Sequence, residues 1–196
     1  MSRGLTLAAT LLVVCAPGAA ASPADLWKKL YRPLHLPAVA AGESCPVSAV
    51  DAEFNFDKYG VARGIGRGPA YPIGFSQPGS VLQYLDPPPV NSEFAGSKWN
   101  GQKVLWFVAP RYRGPVLIRG RRLDAPDVLR FERGKVPPAE LRIRSGFSLV
   151  GNPGVNNFGQ RYRPSYTRFR APGCYAYQID GTTFSRVVVF QARLLD

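Results

Sequence analysis

Residues 166–192, YTRFRAPGCYAYQIDGTTFSRVVVFQA, constrain the fold more than any other part of the chain. Pro172-Gly173 and Asp180-Gly181 supply turn chemistry, and the β-branched and aromatic residues between them alternate as a half-buried strand requires. Tyr175, Tyr177 and Ile179 share one face. In the last run, Val187 and Val189 lie on one side and Val188 and Phe190 on the other, the pattern of a strand covered on both faces. Three strands joined by two short turns predict a β-sandwich or barrel.

The remaining residues extend this pattern. In 196 residues, 45% of them hydrophobic and including three Trp, nine Tyr and eleven Phe, there is room for one domain with a substantial core. Nineteen Pro and twenty Gly suit short strands and frequent turns rather than long helices. Further strands are predicted at 47–56 (VSAVDAEFNF), 80–85 (SVLQYL), 103–109 (KVLWFVA), 115–123 (PVLIRGRRL), 128–133 (VLRFER) and 140–144 (ELRIR). The run at 103–109 is apolar on both parities, which makes it a central strand and Trp106 a core anchor. Residues 57–77 and 145–164 read as long loops. GIGRGPAYPIG in the first has the composition of a phosphate-cradling loop. With no helix start after it, the stretch reads as connecting structure.

Residues 1–21 read as a secretory signal peptide. Arg3 gives the positive start, LTLAATLLVV the short apolar stretch, and GAAAS a small-residue cleavage site after Ala21. The protein is therefore expected to be exported, either secreted or held at the cell envelope. LVVC offers a lipoprotein anchored through Cys15 as an alternative, although Val14 stands where a small residue is wanted. Residues 22–44 form a leader with a short helix in PADLWKKLYR. Its Trp27, Leu30, Tyr31 and Leu34 share one face, with Lys28, Lys29 and Arg32 opposite, which suits docking on the sandwich or lying on a membrane surface. The sandwich domain spans 45–196, and no later segment is long and apolar enough to be a transmembrane helix.

Loss of the signal removes Cys15 and leaves Cys45 and Cys174, which in an oxidising compartment are expected to be bonded. His35 is the single histidine, and its spacing from the two cysteines matches no metal motif, so no metal is expected. If Tyr175, Tyr177 and Ile179 face the core, Cys174 points the other way. The bond would then clamp the N-terminal segment onto an edge or outer face.

The chain carries a formal charge of +12, which becomes +11 once Arg3 leaves with the signal. In the predicted strands Arg130, Arg142, Arg144, Arg168 and Arg170 fall on outward positions, and Arg119 and Arg121 share one parity. These seven arginines are a candidate anion-binding face. Guanidinium groups recognise phosphate and carboxylate bidentately, so the implied partner is an anionic envelope polymer, a lipid surface or, least consistent with export, nucleic acid. A compositional explanation competes with it, because Arg outnumbers Lys nineteen to six amid abundant Ala, Gly and Pro.

FRAPGCYAYQIDGTTFSRVVVFQA resembles the E, F and G strands of immunoglobulin-like domains, and the chain is similar to exported bacterial proteins of that kind. The resemblance implies an all-β, immunoglobulin-like antiparallel β-sandwich, a fold whose role without a grafted site is structural or protein-interacting. The order Cys45, Trp106, Cys174 mimics the Cys…Trp…Cys framework at about twice its spacing. There is no nucleophile elbow, metal cluster or paired-carboxylate motif, so a non-catalytic domain without cofactor is expected, a binding module and an enzyme being the alternatives. Replacing both Cys45 and Cys174 by Ser should lower the unfolding free energy by at most roughly 4 to 5 kcal/mol, the loop-closure value for a loop of this length. Urea titration of the oxidised protein against the double variant measures it.

Overall fold

The computed structural model describes residues 23–40, 42–76, 78–146 and 159–195. Residues 1–21, expected to be a signal peptide and containing Cys15, and the middle of the 145–164 stretch lie outside them. A helix, α1 (Pro23–Leu30), precedes nine strands: β1 (Ala70–Ile73), β2 (Val81–Tyr84), β3 (Asn100–Val108), β4 (Val116–Arg122), β5 (Arg130–Phe131), β6 (Leu141–Ile143), β7 (Arg161–Phe169), β8 (Gly173–Gly181) and β9 (Ser185–Leu194). They form a four-stranded sheet, β1-β3-β7-β5, packed on a five-stranded sheet, β2-β9-β8-β4-β6. The architecture is an all-β sandwich.

Alternation along the strands explains the core. Val104, Trp106 and Val108 of β3 and Phe169 of β7 point inward against Ile118 of β4, Tyr175, Tyr177 and Ile179 of β8, and Val188 and Phe190 of β9. Trp106 meets Tyr177 edge-on at 5.1 Å, and Tyr177 stacks on Phe190 at 4.6 Å. Each such ring contributes on the order of 1.5–3 kcal/mol by burial. Both β8 phenols are satisfied: Tyr175 Oη donates to the Ala171 carbonyl at 2.7 Å, and Tyr177 Oη pairs with Thr167 Oγ1 at 2.6 Å.

Several expectations need correction. The 57–77 loop contains β1, hidden in the sequence by Pro72; Pro lacks a donor and belongs on an edge, which is where β1 lies. Residues 47–56 contribute only a bridge between Val50 and Ile65, because Phe54 and Phe56 instead pack with Tyr71, Phe107 and Tyr162 on the outside of the four-stranded sheet. The five-stranded sheet is mixed rather than antiparallel, since β2 runs parallel to β9. Asp180 and Gly181 are strand residues, and the chain turns after them at 182–184.

The outer face of the five-stranded sheet is covered by the leader. α1 lies against β4 with Leu30 buried, while Tyr31 and Leu34 remain exposed. Beyond the helix, Leu36, Val39 and Cys45 cover Cys174, Ala176 and Val189. The Cys45–Cys174 disulfide closes this strap, with the two Cα atoms 5.4 Å apart, from the outer side of β8.

Under the strap sits Asp180, which is completely buried. Its Oδ2 accepts from Arg119 Nη2 at 2.9 Å and Gln178 Nε2 at 3.0 Å, and its Oδ1 from Ser185 Oγ at 2.7 Å and, at 3.4 Å, from Arg32 Nη1. Arg32 also donates to the Phe184 and Gly181 carbonyls, and Gln178 bonds the Pro33 carbonyl and the His35 N–H. A polar cluster thereby attaches the leader to β4, β8 and β9.

Burial raises the phenol pKa values of Tyr71, Tyr84, Tyr175 and Tyr177, Tyr84 to about 12. A phenol with a higher pKa in the folded state favours the native form fully below about pH 10, and loses that advantage as pH climbs toward the folded value. Stability should therefore fall above about pH 10, by up to roughly 1.4 kcal/mol per pH unit for each such tyrosine. Urea titrations at about pH 9 and about pH 11 check this, with phenolate absorbance rising together with unfolding.

Candidate functional site: a charged cleft beside the glycine-rich loop

The seven strand arginines do not form one face. Arg119 and Arg121 on β4, Arg142 on β6 and Arg144 just beyond it belong to the five-stranded sheet. Arg130 on β5, Arg168 on β7 and Arg170 just beyond it belong to the four-stranded sheet. The outer faces of two packed sheets point in opposite directions, so the set is divided.

Two of the seven are also buried, against the expectation that they face solvent. Arg119 pairs with Asp180 under the leader. Arg168 does point away from the core, but residues 94–99 fold over it. Its Nε donates to the Asn100 carbonyl at 3.1 Å, Nη1 to the carbonyls of Glu132 at 2.9 Å and Gly134 at 3.3 Å, and Nη2 to the Trp99 carbonyl at 2.5 Å and Ser97 Oγ at 3.2 Å. Phe94 caps the guanidinium at 4.2 Å, and Gly101 lies beneath it, where an added Cβ would come within 2.6 Å of Arg168 Cδ. Desolvation lowers the pKa of Arg168, and no carboxylate offsets it. Arg130 and Arg170 both lie against Trp99, and Arg142 lies over Trp27 while pairing with Glu140.

Unpaired charge collects elsewhere. A cleft of about 620 Å³ opens between residues 48–53, the loop Gly66-Arg67-Gly68, Arg111 after β3, and Arg186 and Val187 at the start of β9. Its walls are knitted by backbone. The Ser48 N–H donates to the Val189 carbonyl, the Asp51 N–H to the Gly64 carbonyl and the Gly66 N–H to the Ala49 carbonyl. Gly66 has φ +79°, and a Cβ on it would collide with Val188. The glycines of GIGRGPAYPIG thus serve close packing, and the same turn holds Arg67 at the cleft.

Asp51 is fixed by two bonds: Tyr71 Oη donates to its Oδ2 at 2.8 Å, and the Glu53 N–H to its Oδ1 at 3.1 Å. Burial first, then the Asp51 carboxylate, hold the Tyr71 phenol well above its ordinary range, with Arg111 acting in the opposite sense. Among the described residues, Arg67, Arg111, Arg186, Asp51 and Glu53 take part in no ion pair. Five charged side chains thus line one cleft without neutralising one another. Their positions are scattered over the sequence, and the glycine-rich loop was the one signal that touched them.

Among the described residues, no group of three or more His, Cys, Asp or Glu is arranged to hold a metal ion, and no helix is long and apolar enough to cross a membrane. Comparison with family models, with curated proteins and with solved structures finds no significant match for the chain.

The divided arginines make opposite predictions. Asp180→Ala, which strips the buried Arg119 of its carboxylate, should cost about 3–5 kcal/mol of stability, and Arg119→Ala, which leaves Asp180 only the part-exposed Arg32 at 3.4 Å as a counter-ion, should destabilise in the same sense. Arg121→Ala, an exposed change, should stay within about 0.5 kcal/mol. Denaturant titration separates structural from surface arginine.

Proposed function

We propose that this protein is an exported, non-catalytic domain of immunoglobulin-like type that binds an anionic group in the cleft lined by Arg67, Arg111 and Arg186. One observation carries the reading: three exposed arginines line one cleft with no carboxylate paired to any of them. A guanidinium offers a planar fork of donors matched to carboxylate or phosphate, and in a concave site each charge-assisted bond is worth about 1.5–3 kcal/mol.

Export is supported by the signal-like residues 1–21 and by a disulfide of the kind that persists outside reducing compartments. The immunoglobulin-like type is supported by β4, β8 and β9 lying adjacent in one sheet against the β1-β3-β7-β5 sheet. At the corner between β7 and β8, Tyr175 bonds the carbonyl four residues upstream, as in the tyrosine corner of such domains. The outer-face disulfide departs from the inter-sheet bond of antibody domains.

A structural or protein-interaction role is the second reading. It is favoured by Val90 and Val136, which are 95% and 87% exposed on loops joined by the Arg133–Glu93 ion pair and the Ser97–Lys135 hydrogen bond.

Calorimetric titration with inorganic phosphate and with acetate at low salt tests the binding reading. Binding should weaken as salt rises, and Arg67→Ala, Arg111→Ala or Arg186→Ala should each reduce affinity about tenfold or more. Affinity that ignores both salt and these substitutions counts against it, and recovery of a protein partner at high salt favours the second reading.

A further inference from the structure

The cleft is lined by two acidic residues as well as three arginines, and no ion pair engages any of the five, although Asp51 accepts two hydrogen bonds and Arg186 Nη1 donates to the Ser185 carbonyl at 3.1 Å. We infer that its ligand is zwitterionic: a small molecule bearing a carboxylate or phosphate a few bonds from a primary ammonium. This rests on the anion-binding reading above and adds the second half of the recognition.

Asp51 is more than a surface acid. The Tyr71 hydroxyl and the Glu53 N–H hold its carboxylate in one orientation, and each carboxylate oxygen keeps a lone pair for another donor. The Tyr71 ring is itself completely buried, so the support is rigid. Glu53 stands exposed two residues away and lines the same cleft.

No arginine pairs with either acid. A site selected for a simple anion or a polyanion would be weakened by two carboxylates, since like charge repels the ligand and desolvating an acid near it adds cost. A cationic ligand would meet the same objection from three arginines. A molecule that carries both charges satisfies both sets, and each set excludes ligands bearing only the wrong sign. The volume, about 620 Å³, suits a small molecule. Two sources share the chemistry: an amino acid or peptide, with ammonium and carboxylate, and a phosphoethanolamine group, with ammonium and phosphate.

The test is calorimetric titration of the purified protein at low salt with alanyl-alanine and with phosphoethanolamine, each against its singly charged counterparts, acetate, inorganic phosphate and ethylamine. At least one zwitterion should bind about tenfold or more tighter than its matched anion, and the tighter of the two identifies the source. Asp51→Asn combined with Glu53→Gln should bring the zwitterion down to the affinity of the matched anion. The Asn side chain can keep both contacts, its amide oxygen accepting from the Glu53 N–H and its NH2 donating to the Tyr71 hydroxyl oxygen, and unchanged thermal unfolding checks that the local fold is kept. If acetate or phosphate binds as tightly as the zwitterions and Arg67→Ala weakens all of them, the zwitterion inference is overturned while anion binding stands. If no probe binds, both fall.

Discussion

Asp180 is a carboxylate placed on the outer side of a sheet and then sealed from water. An ion in that position is tolerable only if its oxygens are fully engaged, because the cost of removing it from water is several kcal/mol. Four donors meet it, from Arg119, Gln178, Ser185 and Arg32. Three come from strands or their ends, and the fourth comes from the leader. The leader is thus required where it lies, and Arg32 brings the following residues across β8 toward Cys174. The disulfide locks a path that the buried charge has already defined.

Buried arginine recurs as a way of finishing irregular structure. Arg168 gathers the carbonyls of residues 99, 100, 132 and 134, at the entry to β3 and just beyond β5. Arg161 does the same for the carbonyls of Tyr112, Gly114 and Arg144. In both cases neutral acceptors replace a counter-ion and burial lowers the pKa. A fork of several donors can satisfy chain carbonyls that would otherwise be stranded, which the compact ammonium of Lys does less well. Part of the basic character of this chain is therefore internal construction rather than surface.

The cleft is a consequence of the same economy. Residues 47–56 decline to form a strand because their phenylalanines are worth more packed on Phe107 and Tyr162. That leaves the preceding backbone free to run beside the glycine-rich loop and to carry Asp51 and Glu53 opposite Arg67, Arg111 and Arg186.

Much of the β architecture was legible in the sequence. The inward face of Tyr175, Tyr177 and Ile179, the buried Trp106 and the outward Cys174 all follow from strand parity, which is a local property with a period of two. The Cys45–Cys174 pairing followed from there being two cysteines once a signal is removed. Parity states only which side of a sheet a residue occupies, not what will cover that side. Arg119 and Arg168 were therefore read as solvent-facing, and only the leader and the 94–99 loop, both remote in sequence, decided otherwise. The Pro-containing β1, the parallel pairing of β2 with β9 and the gathering of the cleft charges likewise depend on contacts between distant segments. Strand alternation and the cysteine pairing are thus local or compositional properties of the chain, whereas which charges are buried and which meet is set by packing, because desolvation depends on the neighbours that long-range contacts supply.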